Sequence, residues 1–147
     1  MASYLLDTNV LLRFLDTNSP LNPLIRQAVT TLRFQGHSIK ICPQNIIELW
    51  AVATRPLSAN GFGWSLEITR SEVDKLLRIY ELLPDTPAVF TQWLELVTTY
   101  KVSGKQVHDV RLAATAKAHD IEHLLTLNVA DFKRFDLSVV HPSEVVT

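Results

Sequence analysis

The stretch Tyr4 to Leu12, YLLDTNVLL, constrains the fold more than any other part of the chain. Tyr4, Leu5 and Leu6 form an apolar run too short for a helix and without polar alternation, the pattern of a strand covered on both faces. Asp7 ends that run, and Val10, Leu11, Phe14 and Leu15 then recur at helical spacing, so strand, carboxylate and helix start fall within a few residues. In open α/β sheets, ligands bind beyond the carboxyl ends of the strands, which is where Asp7 stands. Two readings are open at this point: Asp7 helps Thr8 and Asn9 cap the helix, or it is a functional carboxylate whose company comes from elsewhere in the chain.

The remaining pattern repeats the theme. Ile39 and Ile41 alternate with Lys40 as a second strand, Leu124, Leu125 and Leu127 form a core strand late in the chain, and Leu137 to Val140 offers an edge strand. A brief strand also fits within Leu82 to Thr86. Helical stripes lie between them: Leu24, Ile25, Ala28, Val29 and Leu32, with Ser19 or Asn22 placed as cap; Gln44 to Thr54; a helix opening at Thr69 as a capping box with Glu72 and stopped by Pro84; Ala88 to Tyr100; and the Ala-rich Gln106 to Ala118. Strands interleaved with helices predict an α/β domain, a central parallel sheet with helices on both faces. The length fits one domain, 1–147. Arg55 to Trp64, RPLSANGFGW, reads as a surface loop; Phe62 and Trp64 in it can stack on bases or anchor the loop.

Composition narrows the setting. Cys42 is the sole cysteine, which excludes an intramolecular disulfide and a thiolate zinc cluster. No apolar run approaches the roughly 18 residues of a membrane span, and no basic-then-apolar leader opens the sequence, so a cytoplasmic protein without membrane contact is expected. The formal charge is −1, from 14 basic and 15 acidic residues. If four of those acids serve one metal site, the remaining surface leans basic, which permits a polyanionic partner.

Four carboxylates share one description. Asp7, Glu48, Asp109 and Asp131 each lie at or just after a strand end, or within a turn or so of the start of an apolar helix; Glu48 is the only charge in QNIIELWAVAT, which reads as largely buried. In a parallel sheet these positions converge on one edge. Packed acids repel and hold their protons unless a cation neutralises them. An all-oxygen pocket suits Mg²⁺ or Mn²⁺, ions that activate a water and stabilise charge on a phosphoryl oxygen, so phosphodiester hydrolysis is the reaction served best. Thr8, Asn9, Thr126 and Asn128 would orient the carboxylates. His108 reads as a packing or capping group, because such an ion lowers the pKa of water without an imidazole.

With LLDTNVLL, Glu48 in NIIELW, HDVRLAATA around Asp109, and TLNVADF near the end, nearly the whole chain resembles the PIN domain, and in particular the VapC-type ribonuclease toxins of prokaryotic toxin–antitoxin pairs. Each motif alone is weak; four in order at fitting intervals are specific. The resemblance implies a single PIN-like domain, divalent-metal-dependent cleavage of RNA, a homodimer, and a small antitoxin protein whose tail occupies the groove. By position, Asp7, Glu48 and Asp109 resemble the metal-binding acids, Asp131 the more variable fourth, and Thr126 and Asn128 their supports. Leu127 and Val129 leave TLNVADF with fewer bases than many members carry. Candidate RNA contacts are Arg13, Arg55, Lys105 and Arg111, with Lys101 and Lys133 behind them. The alternatives are a catalytically silent RNA-binding PIN module, a housekeeping RNA-processing nuclease, and a response-regulator-like phosphoacceptor, the last disfavoured because no second acid adjoins Asp7.

Overall fold

A computed structural model describes residues 1–147. Its five strands are β1 (Ser3–Leu6), β2 (Ser38–Ile41), β3 (Glu81–Leu82), β4 (His123–Leu125) and β5 (Ser138–Val140). They form one sheet in the order β3-β2-β1-β4-β5, with every pair parallel. Seven helices connect or follow them: α1 (Thr8–Leu15), α2 (Asn22–Phe34), α3 (Pro43–Thr54), α4 (Leu66–Ile79), α5 (Pro87–Thr99), α6 (Gln106–Ala118) and α7 (Pro142–Val145). The architecture is the expected α/β sheet. No helix is long and apolar enough to cross a membrane.

Side chains alternate across a strand, and β1 uses that alternation to serve two cores. Tyr4 and Leu6 pack on one face with residues of α1 to α4, including Val10, Ile25, Leu49 and Val73. Leu5 faces the other side, against Val89 and Leu96 of α5 and the small residues Ala113 and Ala116 of α6. The central strand therefore reads as uninterrupted hydrophobe because both faces are covered.

Chain direction reverses its march across the sheet between β1 and β4: β2 and β3 are laid down on one side of β1, β4 and β5 on the other. In open parallel sheets the crevice outside the carboxyl edge at such a reversal is where ligands bind. The ladder continues into it, because the Asp7 N–H donates to the Leu125 carbonyl at 2.9 Å and the Thr126 N–H to the Val140 carbonyl at 3.0 Å.

Several helix starts differ from the sequence expectation. Neither Ser19 nor Asn22 caps α2; Asn22 Nδ2 instead donates to the carbonyls of Arg13 and Phe14, at 2.8 and 3.0 Å, and so closes the end of α1. Helix α4 begins one turn before Thr69. Ser65 is its cap, accepting from the Ile68 N–H at 3.1 Å, while the Thr69 hydroxyl bonds back to the Ser65 carbonyl as mid-helix threonines do. It ends at Ile79, well before Pro84, because β3 begins at Glu81. Helix α3 is only half buried: Ile47 is 67% exposed, whereas Asn45, Leu49 and Ala53 are sealed.

The loop after α3 is a closing device for that helix. Phe62 and Trp64 donate their N–H groups to the carbonyls of Val52 and Ala53, satisfying the helix's last acceptors. Their rings lie 5.0 Å apart and are partly buried, so they anchor the loop. A Cβ on Gly61 would fall 2.0 Å from the Arg55 carbonyl oxygen, which makes glycine a steric necessity there.

Candidate active site at the carboxyl edge of the sheet

Asp7 immediately follows β1 and occupies the position before α1, yet its side chain makes no capping hydrogen bond. Its Oδ2 accepts instead from the Thr126 hydroxyl at 2.7 Å. The capping reading is thereby excluded. Thr126 is fully buried, and its own oxygen accepts from the Asn128 backbone N–H at 3.0 Å, which fixes the hydroxyl so that its proton points at Asp7. Asn128 thus contributes through its main chain, not its side chain. Asn9 Oδ1 meets the Leu127 N–H at 3.5 Å, a long contact that tethers the same turn.

Glu48 is held by a matching arrangement. The Thr8 hydroxyl donates to Glu48 Oε1 at 2.6 Å, and Asn45 Nδ2 donates to that hydroxyl oxygen at 3.1 Å. Asn45, wholly buried, also bonds the Leu6 carbonyl at 3.0 Å and accepts from the Cys42 N–H at 2.8 Å, so it rivets the start of α3 to the end of β1. In each case a threonine within two residues of a strand end, with an N–H behind it, orients a carboxylate. No basic side chain pairs with Glu48; the salt bridges of Arg70 and Arg111 go to Asp74 and Asp85.

Asp109 sits in the first turn of α6, half buried, where the helix dipole favours an anion. Asp131 ends the short 3₁₀ turn Val129–Asp131 and is exposed. Asp7 feels the charges of Asp109 and Glu48, and Asp109 those of Asp131 and Glu48. Burial pushes the Asp7 carboxyl up to about 6, against the Thr126 hydroxyl and the Thr8 backbone N–H, which lower it, and the charges of Asp109 and Glu48 raise it further. Burial likewise raises Asp109, reinforced by Asp131 and Glu48 and eased by His108.

As the side chains stand, no three His, Cys, Asp or Glu residues form a ready-made chelate. The donor chemistry nevertheless fits a hard divalent cation: the candidate ligands are all carboxylate oxygens, two of the acids are held oriented, and their repulsion is of the kind a cation relieves. Mg²⁺ keeps several waters and needs only one or two carboxylates, so it does not require a three-acid cage.

The basic candidates divide. Arg13, Arg55 and Lys105 are exposed, Arg13 lying 4.0 Å from Asp16; Lys101 and Lys133 are exposed as well. Arg111 is committed elsewhere, with Nη2 on Asp85 at 2.9 Å and Nη1 on Gln44 at 3.3 Å. Sequence reasoning passed over Gln44, Asn45 and Asp85. Two adjacent amides at the head of an apolar helix were the available signal, since polar groups sealed there need a structural purpose.

A family model described as PIN domain matches residues 4–137. Among solved structures, the chain is similar to the VapBC2 complex of Rickettsia felis bound to a DNA fragment from its promoter, at 20% identity over 95% of this chain and 98% of that one, with a TM-score of 0.72. VapBC-1 from nontypeable Haemophilus influenzae matches at 20% identity over 96% and 98%, TM-score 0.72, and FitAcB from Neisseria gonorrhoeae at 20% over 95% and 98%, TM-score 0.70. At these identities the likeness is one of fold. No curated protein is significantly similar in sequence.

Proposed function

Because this chain belongs to the PIN domain family, we propose that it is a Mg²⁺- or Mn²⁺-dependent endoribonuclease, the toxin of a type II toxin–antitoxin pair. The reading takes residues 1–147 as one PIN domain acting in the cytoplasm. The observation that carries it is the Thr126 hydroxyl holding Asp7 across the junction of β1 and β4, with Asp7 pushed up to about 6 by burial and by the charges of Asp109 and Glu48, and Asp109 raised in turn by Asp131 and Glu48. Asp7, Glu48 and Asp109 would hold the ion, with Asp131 as a fourth, more exposed ligand. When bound, the ion supplies positive charge for the phosphoryl oxygens and a lowered pKa for water. Thr126 and Thr8 keep the Asp7 and Glu48 oxygens aimed into the crevice, and Asn9 and the Asn128 main chain hold the turn behind Thr126.

Arg13, Arg55 and Lys105 are the candidate contacts for the RNA backbone, free of any short ion pair. A small antitoxin as partner is supported by the fold likeness to toxin–antitoxin complexes. A homodimer is part of this reading through the family resemblance; Phe90 and Leu94, one turn apart on α5 and 62% and 49% exposed, are apolar surface for a second copy to cover.

The test is incubation of the purified chain with mixed RNA in Mg²⁺, in Mn²⁺ and in EDTA, beside an Asp7→Asn variant. Cleavage with the metals and none in EDTA or by the variant is expected. Equal cleavage under all conditions would refute the assignment, and retention of RNA without cleavage would favour the silent binding module.

A further inference from the structure

Gln44 lies at the start of α3, one turn before Glu48, and is only 8% exposed. Its amide is caught between three groups. Oε1 accepts from Arg111 Nη1 at 3.3 Å, while Nε2 donates to the His108 carbonyl at 2.9 Å and faces Glu48 Oε2 at 3.5 Å. The amide has only one sensible orientation: a guanidinium can only donate and a carbonyl can only accept, so the oxygen must face Arg111 and the NH₂ must face His108. One N–H is spent on that carbonyl, and the other is left for the carboxylate. Arg111 is in turn locked by Asp85, at 2.9 Å.

We propose that Gln44 is the positioning residue for Glu48 and that the Asp85–Arg111 pair exists to hold it. Thr8 fixes one oxygen of Glu48 and Gln44 the other, so the carboxylate is gripped on both sides without a counter-charge that would compete with a cation. The same amide ties α3 to the backbone one residue before Asp109, so the spacing between the two acids is set by the length of one glutamine side chain. Arg111 is therefore a strut and not an RNA contact. This inference rests on the metal-dependent reading above.

The test measures Mn²⁺ binding by calorimetry on the full chain without RNA, so that nucleic-acid contacts do not enter. Outer groups that orient ligands carry about 10- to 100-fold in metal affinity. Gln44→Ala is expected to weaken Mn²⁺ by about tenfold, and Gln44→Asn, too short to span the three partners, by a similar factor. Asp85→Asn guards against loss of folding, since Asp85 is 43% exposed and its change only loosens Arg111; a smaller loss of Mn²⁺ affinity is expected with an unaltered melting temperature. Arg111→Ala should lower Mn²⁺ affinity and leave the salt dependence of RNA retention unchanged. Wild-type affinity in folded Gln44→Ala, or an Arg111→Ala variant whose only defect is in RNA retention, overturns this inference alone. A wild-type chain that binds no Mn²⁺ overturns the proposed function, and this inference with it.

Discussion

The hydroxyl of Thr126 donates to Asp7 Oδ2 at 2.7 Å across a sequence separation of 119 residues, directly over the junction of β1 and β4. Replacing Thr126 with Val keeps the shape and removes that proton, also leaving the Asn128 N–H without its acceptor. A buried unsatisfied group costs about 1–3 kcal/mol, so the variant should fold with a melting temperature lowered accordingly. Its Mn²⁺ affinity should fall by about tenfold, read by titration calorimetry, because Asp7 loses the group that orients it.

Asp7→Asn should stabilise the metal-free protein at neutral pH. Burial pushes the carboxyl up to about 6 from its ordinary 3.8, so the fold prefers it protonated. Stability from this group is fully present below about pH 4 and is lost as pH rises through about 6, a difference of about 3 kcal/mol for a shift of that size. Asn cannot ionise and still offers an acceptor to Thr126. Thermal melts in EDTA should therefore place the variant above wild type at pH 7 and level with it below pH 4, and saturating Mg²⁺ should reverse the order, since only wild type gains the binding energy.

Protons and metal compete for the same oxygens. At limiting Mg²⁺, RNA cleavage should rise as pH increases through about 6, where Asp7 gives up its proton, and excess metal should move the midpoint downwards. A midpoint that ignores metal concentration would count against Asp7 as a ligand.

Lys105 is exposed at the start of α6, four residues before Asp109. Lys105→Ala is expected to weaken RNA retention about equally for unrelated sequences and to shallow its salt dependence by roughly one counter-ion, as the loss of a phosphate contact does. Filter binding at stepped salt concentrations checks this.

Gly61→Ala tests the loop that closes α3. A Cβ there meets the Arg55 carbonyl at 2.0 Å, so the loop must move and release the hydrogen bonds from Phe62 and Trp64. A loss of about 2–4 kcal/mol is expected in urea unfolding, and metal affinity should change less than stability.

What could be read in advance followed the physics of periodicity. Tyr4 to Leu6 and the alternating Ile39 and Ile41 announced parallel strands, and Asp7 at the end of the first of them announced the edge where Thr126 meets it, because neighbouring parallel strands end side by side. Helix starts were less legible. Ser65 and Thr69 are equally good caps by residue type, and only the hydrogen bonds of the preceding loop decide between them. Gln44 was opaque for a different reason: its partners, Arg111 and the His108 carbonyl, lie more than 60 residues away and belong to a helix whose approach no local pattern specifies.

The crevice is completed late. Asp7 directly follows β1, whereas Thr126 at the end of β4, which holds it, is made 119 residues later. A nascent chain on the ribosome carries its acids dispersed along an unfinished thread, and a prematurely terminated product lacking β4 has no floor on which to gather them. The order in which the sheet is assembled thus acts as a timer, withholding the finished Asp7–Thr126 arrangement until β4 has been made.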